Sequence, residues 1–310
     1  MTATRKDYDT TGIVFVVATL IGWSSVLLFL KHLTPFIDPW TSNGWRYGIA
    51  ALLWSPLLVV GLVRGTLPKG LWWRALAPAL VNTAGQVCFA AAPYYIGAGL
   101  SAFLLRVSLI FSTIGAFILF ADERVLVRNR FFSVGMTLIV GGSIGTVLLG
   151  QASIEGSTAF GILLGASAGA FYGLYGVAVR YWMRGIPAMT SFAAISLYTA
   201  SGVVTLMFIF AESRGMKALT LSTTNWMVLI FSSLIGIAMG HVFFYAAMAR
   251  LGVAVTNAVV QLAPFFTGVA SVVIFDEILT RGQWLSGVAL LCGALILLRA
   301  ERDRHRSARP

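Results

Sequence analysis

Polar side chains are rare inside the apolar stretches of this sequence, and the few found there are the ones able to do chemistry. Arg106 lies about eight residues into the run 98-120, roughly 12 Å along a helix that rises 1.5 Å per residue. A charge at such a depth is costly and faces a cavity or a partner, so Arg106 reads either as a carboxylate-binding group or as a snorkelling, backbone-paired cation. Arg46 stands only about a turn inside its run and reads as structural, tying helix ends together. Asn82 with Gln86, and Asn257 with Gln261, are spaced four apart, so each pair shares a helix face. These amides would either line a cavity and bond an amino or carboxyl group, or hold helices together at about 0.6 to 2 kcal/mol each. His241, with Tyr245 one turn later, would titrate, bind a ligand or simply satisfy a neighbouring polar group. Trp23, Tyr172, and Phe265 beside Pro264 would form an aromatic wall or ordinary packing.

The acids are as informative by position. All eleven fall in termini or at the ends of apolar runs, among them Asp122 and Glu123, Asp276 and Glu277. A carboxylate proton relay across the membrane has no carrier in such a chain, and His241 is left as the internal group that titrates near neutral pH. GASAG at 165-169 matches G-x-S-x-G, which with His241 as base would suggest an intramembrane serine hydrolase. That motif works on a strained strand-to-helix turn. Here it sits within Gly161, Gly165, Gly169 and Gly173, a four-residue period that gives one smooth packing stripe on a helix. No Gly-rich loop ends in GK[ST], and Cys88 and Cys292 lie far apart in apolar runs. The expectation is therefore no enzyme, no cofactor and no metal.

The elements that must position these residues follow from composition. The 310 residues are 58% apolar and 11% charged, with a mean hydropathy of +0.86, which makes lipid the solvent. Apolar runs near 12-30, 42-63, 72-93, 98-120, 131-149, 158-180, 188-210, 225-247, 252-274 and 283-299 are each long enough to span a bilayer. The first follows no cleavage-type signature and reads as a spanning helix. The +11 net charge sits in short loops, which argues topology and excludes nucleic acid as the partner. Most of the 22 Lys and Arg residues fall in the terminal segments and the loops sharing their side, whereas the alternate loops hold Lys31, Arg214, Lys217 and Arg281. The positive-inside rule then makes both termini cytoplasmic in a bacterial inner membrane.

The second half echoes the first. FAAAPYYIGAGLSAFL at 89-104 aligns with FYAAMARLGVAVTNAV at 244-259, pairing Phe89 with Phe244 and Gly97 with Gly252. FADERVL at 120-126 aligns with IFDEILT at 274-280, and Gly135 and Gly141 match Gly287 and Gly293. Gly12 stands opposite Gly161, Lys31 opposite Arg180, and Pro39 opposite Pro187. A five-span unit is odd, so its second copy enters from the other face and the halves are related by inversion. Such folds rock one bundle against the other around a midplane site. Pro264 and Gly85, Gly97 and Gly99 are candidate flexing points, or static kinks.

Five-span halves that end in an acidic pair, a short polar break and a G-x5-G helix resemble the EamA-type repeat of the drug/metabolite transporter superfamily. Arg46 seven residues after Pro39, and Pro264 about a dozen before the acidic loop, are similar to that pattern; Ile110 opposite Pro264 departs from it. The resemblance covers the whole chain. It implies an all-α basket of ten helices, with repeats at 1-150 and 151-300, a basic tail at 301-310, and a central cavity lined by helices 1, 3, 4, 6, 8 and 9. Members of the superfamily export amino acids, drugs and other metabolites, YddG-like ones carrying amino acids, and within that range the expectation here is a monomeric exporter of amino acids or similar small metabolites working by alternating access. The missing internal acid favours facilitated diffusion. A proton-coupled multidrug exporter and a channel are the rivals.

Overall fold

The computed structural model describes residues 9-121, 124, 129-150 and 156-307; Asp122, Glu123 and the first eight residues lie outside them. Ten helices are long and apolar enough to cross a membrane. They are α1 (Thr10–Leu33), α2 (Pro39–Val63), α3 (Leu71–Tyr94), α4 (Ala98–Leu119), α5 (Arg130–Leu148), α6 (Thr158–Trp182), α7 (Ala188–Phe210), α8 (Thr223–Leu251), α9 (Val255–Phe275) and α10 (Arg281–Ala300). Inside lipid each backbone polar group must be satisfied within its own segment, which is why the described spans are helical apart from a turn at 261-262. Polar side chains follow the same rule: Thr19, Ser24, Thr83 and Ser143 donate to carbonyls four residues back. The helices start on side-chain caps. Asp9 accepts from Gly12 N–H, Asp38 from Trp40 and Thr41 N–H, and Asn129 from Phe131 N–H. The last helix continues as far as Ser307, so most of the expected tail is helical.

Packing occurs mainly between the halves. α5 lies against α10, α2 against α7, α3 against α6, α1 against α8 and α4 against α9. Exchanging the two halves maps each of these pairs onto another pair in the same set, α1–α8 becoming α6–α3. The contact pattern is that of an inverted repeat about a pseudo-two-fold axis. Association in lipid depends on close backbone approach, and glycines supply it. A Cβ on Gly135 would stand 2.9 Å from the Gly293 carbonyl, and one on Gly169 would stand 2.9 Å from that of Leu104. The α6 stripe is thus the seat of α4.

Three helices are interrupted. α4 tightens to a 3-10 turn at Leu105–Val107, α9 breaks at residues 261-262, and α8 widens to a π turn at Leu234–Met239. Pro264 sits at the start of the α9 segment Ala263–Phe275, where its missing N–H costs nothing. The α4 break has no proline, in keeping with Ile110.

Candidate functional site

The three aromatic candidates do not form one wall: Phe265 packs on Phe103 at 5.5 Å and Trp284 at 6.1 Å, while Trp23 and Tyr172 sit in two clusters that are copies of one another. On one side Trp23 of α1 packs on Phe244 of α8, ring centroids 4.9 Å apart, and over Gly240, where a Cβ would stand 2.6 Å from Trp23 Nε1. On the other, Tyr172 of α6 packs on Phe89 of α3 at 5.7 Å and over Gly85, where a Cβ would meet its ring at 3.2 Å. The spacing that relates Gly12 to Gly161 also relates Trp23 to Tyr172; the spacing that relates Phe89 to Phe244 also relates Gly85 to Gly240 and Gln86 to His241. His241 lies against Trp23 at 5.5 Å and stacks on Phe192 of α7 at 4.3 Å, with Tyr245 at 6.4 Å; its Nδ1 meets the Ile237 carbonyl at 3.0 Å.

The same register relates Arg106 to Gln261, and these two residues touch: Arg106 Nη1 donates to Gln261 Oε1. Each stands at the break of its helix, so the contact joins α4 to α9 where both are weakest. Around it is a void of about 10 Å3 lined by Phe103, Pro264, Phe265 and, on α10, Gly287, Leu290, Leu291 and Ala294. A single water needs about 10 to 15 Å3, so no metabolite fits there. Asn82 Nδ2 donates to Thr199 Oγ1 of α7 at 3.1 Å, and the Gln86 carbonyl accepts from Asn43 Nδ2 of α2 at 3.2 Å. Asn257 contributes its backbone carbonyl to Gln261 N–H.

The reading of Arg46 needs correction. It is 1% exposed, and its Nε and Nη1 have no hydrogen-bond partner, so its side chain does not tie helix ends. Its backbone does some of that work, since Ser233 Oγ of α8 donates to the Arg46 carbonyl at 2.6 Å. Tyr47, Tyr172 and Tyr94 lie within electrostatic range of the guanidinium. Tyr175 lies in turn within electrostatic range of Tyr47 and Tyr245.

The two ends of the bundle differ. On the side of the termini, a cleft of about 220 Å3 runs between α6, α7 and α8, lined among others by Tyr175, Arg180, Arg184, Ser191, Phe192 and Tyr245. On the far side, loops are tied across helices. Glu277 accepts from Ala98 N–H at 2.6 Å and Gly99 N–H at 3.0 Å, Lys31 Nζ donates to the Pro93 carbonyl at 2.9 Å, and Tyr94 to that of Ile37 at 2.5 Å. Thr280 Oγ1 donates to the Leu149 carbonyl at 2.5 Å, and His32 meets Asn225 at 3.0 Å. The near side has Asp9 with Arg250 at 3.3 Å and Arg74 bonded to the Trp182 and Arg184 carbonyls at 2.5 Å.

Ser167 lies in the middle of the continuous helix Gly156–Trp182, with no strand-to-helix turn around it, and His241 points at a backbone carbonyl. The described residues hold no group of three or more His, Cys, Asp and Glu side chains fit for a metal.

Among curated proteins none matches the chain. A solved crystal structure, described only as that of a protein, superposes with a TM-score of 0.63 over 94% of this chain and 99% of its own, at 16% identity. That likeness shows a shared fold. The EamA-like transporter family matches twice, over residues 10–148 and 159–299. With its ten apolar helices paired across two inverted halves, the chain belongs to the EamA-like transporter family of the drug/metabolite transporter superfamily.

Proposed function

We propose that this transporter lets amino acids, or similar small carboxylate-bearing metabolites, leave a bacterial cytoplasm down their gradient by alternating access. The observation that carries this reading is the sign of the interior. Arg46 and Arg106 stand inside spans, and among the described residues no carboxylate does. A buried cation without a counter-ion is unfavourable until something anionic arrives, and it repels the organic cations that a multidrug exporter would bind. The same lack of acids supports movement without proton coupling.

Two further features support the cycle. The near-side cleft of about 220 Å3 is smaller than the roughly 300 to 1,000 Å3 that holds drug-sized ligands, and suits a molecule of amino-acid size. The far-side ties close the opposite end, as expected of a state open toward the termini, and the positive-inside count supports a cytoplasmic position for that side. Both conformations would arise within one monomer.

Proteoliposomes loaded with buffer and given radiolabelled amino acids, with and without a pH gradient, test this. Saturable uptake that ignores the gradient is the expected result. Uptake driven by the gradient and lost in His241→Gln would replace it with the proton-coupled reading. Conductance at rates beyond a conformational cycle would make the chain a channel.

A further inference from the structure

We infer that Arg46 is the anion-binding group of the translocation path, and that the group it takes is a carboxylate. The inference rests on the carrier reading above and goes further by assigning the charge to one residue. Four observations carry it. Arg46 is 1% exposed, yet Nε and Nη1 have no partner, so a desolvated cation presents donors that nothing in the protein fills. The other interior cation, Arg106, leaves only its Nε unfilled, since its Nη1 donates to Gln261, and it borders a void fit for one water.

Further unfilled groups lie on α2 and on α8, the two helices joined at the Arg46 carbonyl. Ser42 Oγ and Asn43 Oδ1, one turn before it on α2, and Ser232 Oγ, adjoining the Ser233 that bonds its carbonyl, are likewise buried without partners. A ligand with both donors and acceptors would satisfy them together, as an amino acid does. Finally, phenols link the site to the cleft. Tyr245 and Tyr175 line the cleft, Tyr47 lies within electrostatic range of Tyr175, and Tyr47 and Tyr172 lie within electrostatic range of Arg46. A planar guanidinium suits a planar carboxylate through paired N–H donors, and one unfilled charge matches a monoanion.

The test swaps the ligand as well as the residue. Purified protein in detergent is heated with each of the common L-amino acids, with the corresponding carboxamides, with acetate and pyruvate, and with inorganic phosphate. The expected result is that some carboxylates raise the melting temperature, and that their carboxamides bind about 30-fold more weakly or worse. Arg46→Met should bring acid and amide to equal affinity, and Arg46→Lys should keep part of the difference. Equal binding of acid and amide by the wild-type protein overturns the inference, even if no variant folds. So does discrimination that survives Arg46→Met, or stabilisation by phosphate alone. If pyruvate discriminates and amino acids do nothing, the amino-acid reading fails while Arg46 stands.

Discussion

Replacing Glu277 by Gln should unlatch the far side. The carboxylate reaches from the α9–α10 connection to the first turn of α4, where it accepts from Ala98 and Gly99 N–H at 2.6 and 3.0 Å. Those N–H groups have no partner within their own helix, and the helix dipole favours a negative charge there. A hydrogen bond to a charged group is worth roughly 1.5 to 3 kcal/mol, and the glutamine retains one neutral acceptor. Glu277 is partly exposed, which trims the loss to about 1 to 2 kcal/mol, or about 5- to 30-fold in the ratio of far-open to far-closed states. Ser101 is 1% exposed, one turn into α4. As Ser101→Cys in a Cys88→Ser, Cys292→Ser background, it should react with an impermeant maleimide from the far side that much faster once Glu277→Gln is added. Gly97→Ala should act alike, since its Cβ would stand 2.6 Å from the Glu277 carboxyl carbon. Labelling unchanged in both variants would refute the latch.

Asp9 offers a pH test. Its pKa is held below the ordinary value, chiefly by the Gly12 N–H and also by Arg250. A depressed carboxylate contributes above its unfolded pKa and loses that contribution as pH falls through the folded value. Asp9→Asn should therefore lower the melting temperature equally across pH 5 to 8, with the difference fading only below about pH 4. Gly169→Leu should abolish a monodisperse product, because even a Cβ there stands 2.9 Å from the Leu104 carbonyl; normal yield would free α6 from its seat on α4. Arg106→Met and Gln261→Leu should each destabilise the protein, and the double variant should cost less than their sum by about 0.5 to 3 kcal/mol. Strict additivity in thermal melts would show that the contact does not form.

The ten spans were legible because lipid enforces long apolar helices, and hydropathy reads one dimension well. The repeat was legible through Phe89 and Phe244. Carrying that register inward would also have paired Arg106 with Gln261 and Gly85 with Gly240, so part of the site was encoded in spacing alone. Arg46 was not legible. Its distance from the end of its run suggests an interfacial cation, and only the packing of α2 against α7 and α8 shows it sealed from water without a partner. The π turn before His241 leaves no mark in composition, since LIGIAM would serve as ordinary helix.

A residue on a two-fold axis meets its own copy. In an assembly of two identical halves, position 106 would set guanidinium against guanidinium, or amide against amide. The Arg106–Gln261 contact is neither, because donor and acceptor have been divided between the halves. Such a division is open only to halves that differ in sequence, which a fused chain provides because its two copies vary independently. The consequence is that the halves are no longer interchangeable: two first halves joined in tandem would oppose like charges at the centre, and two second halves would lack charge there altogether.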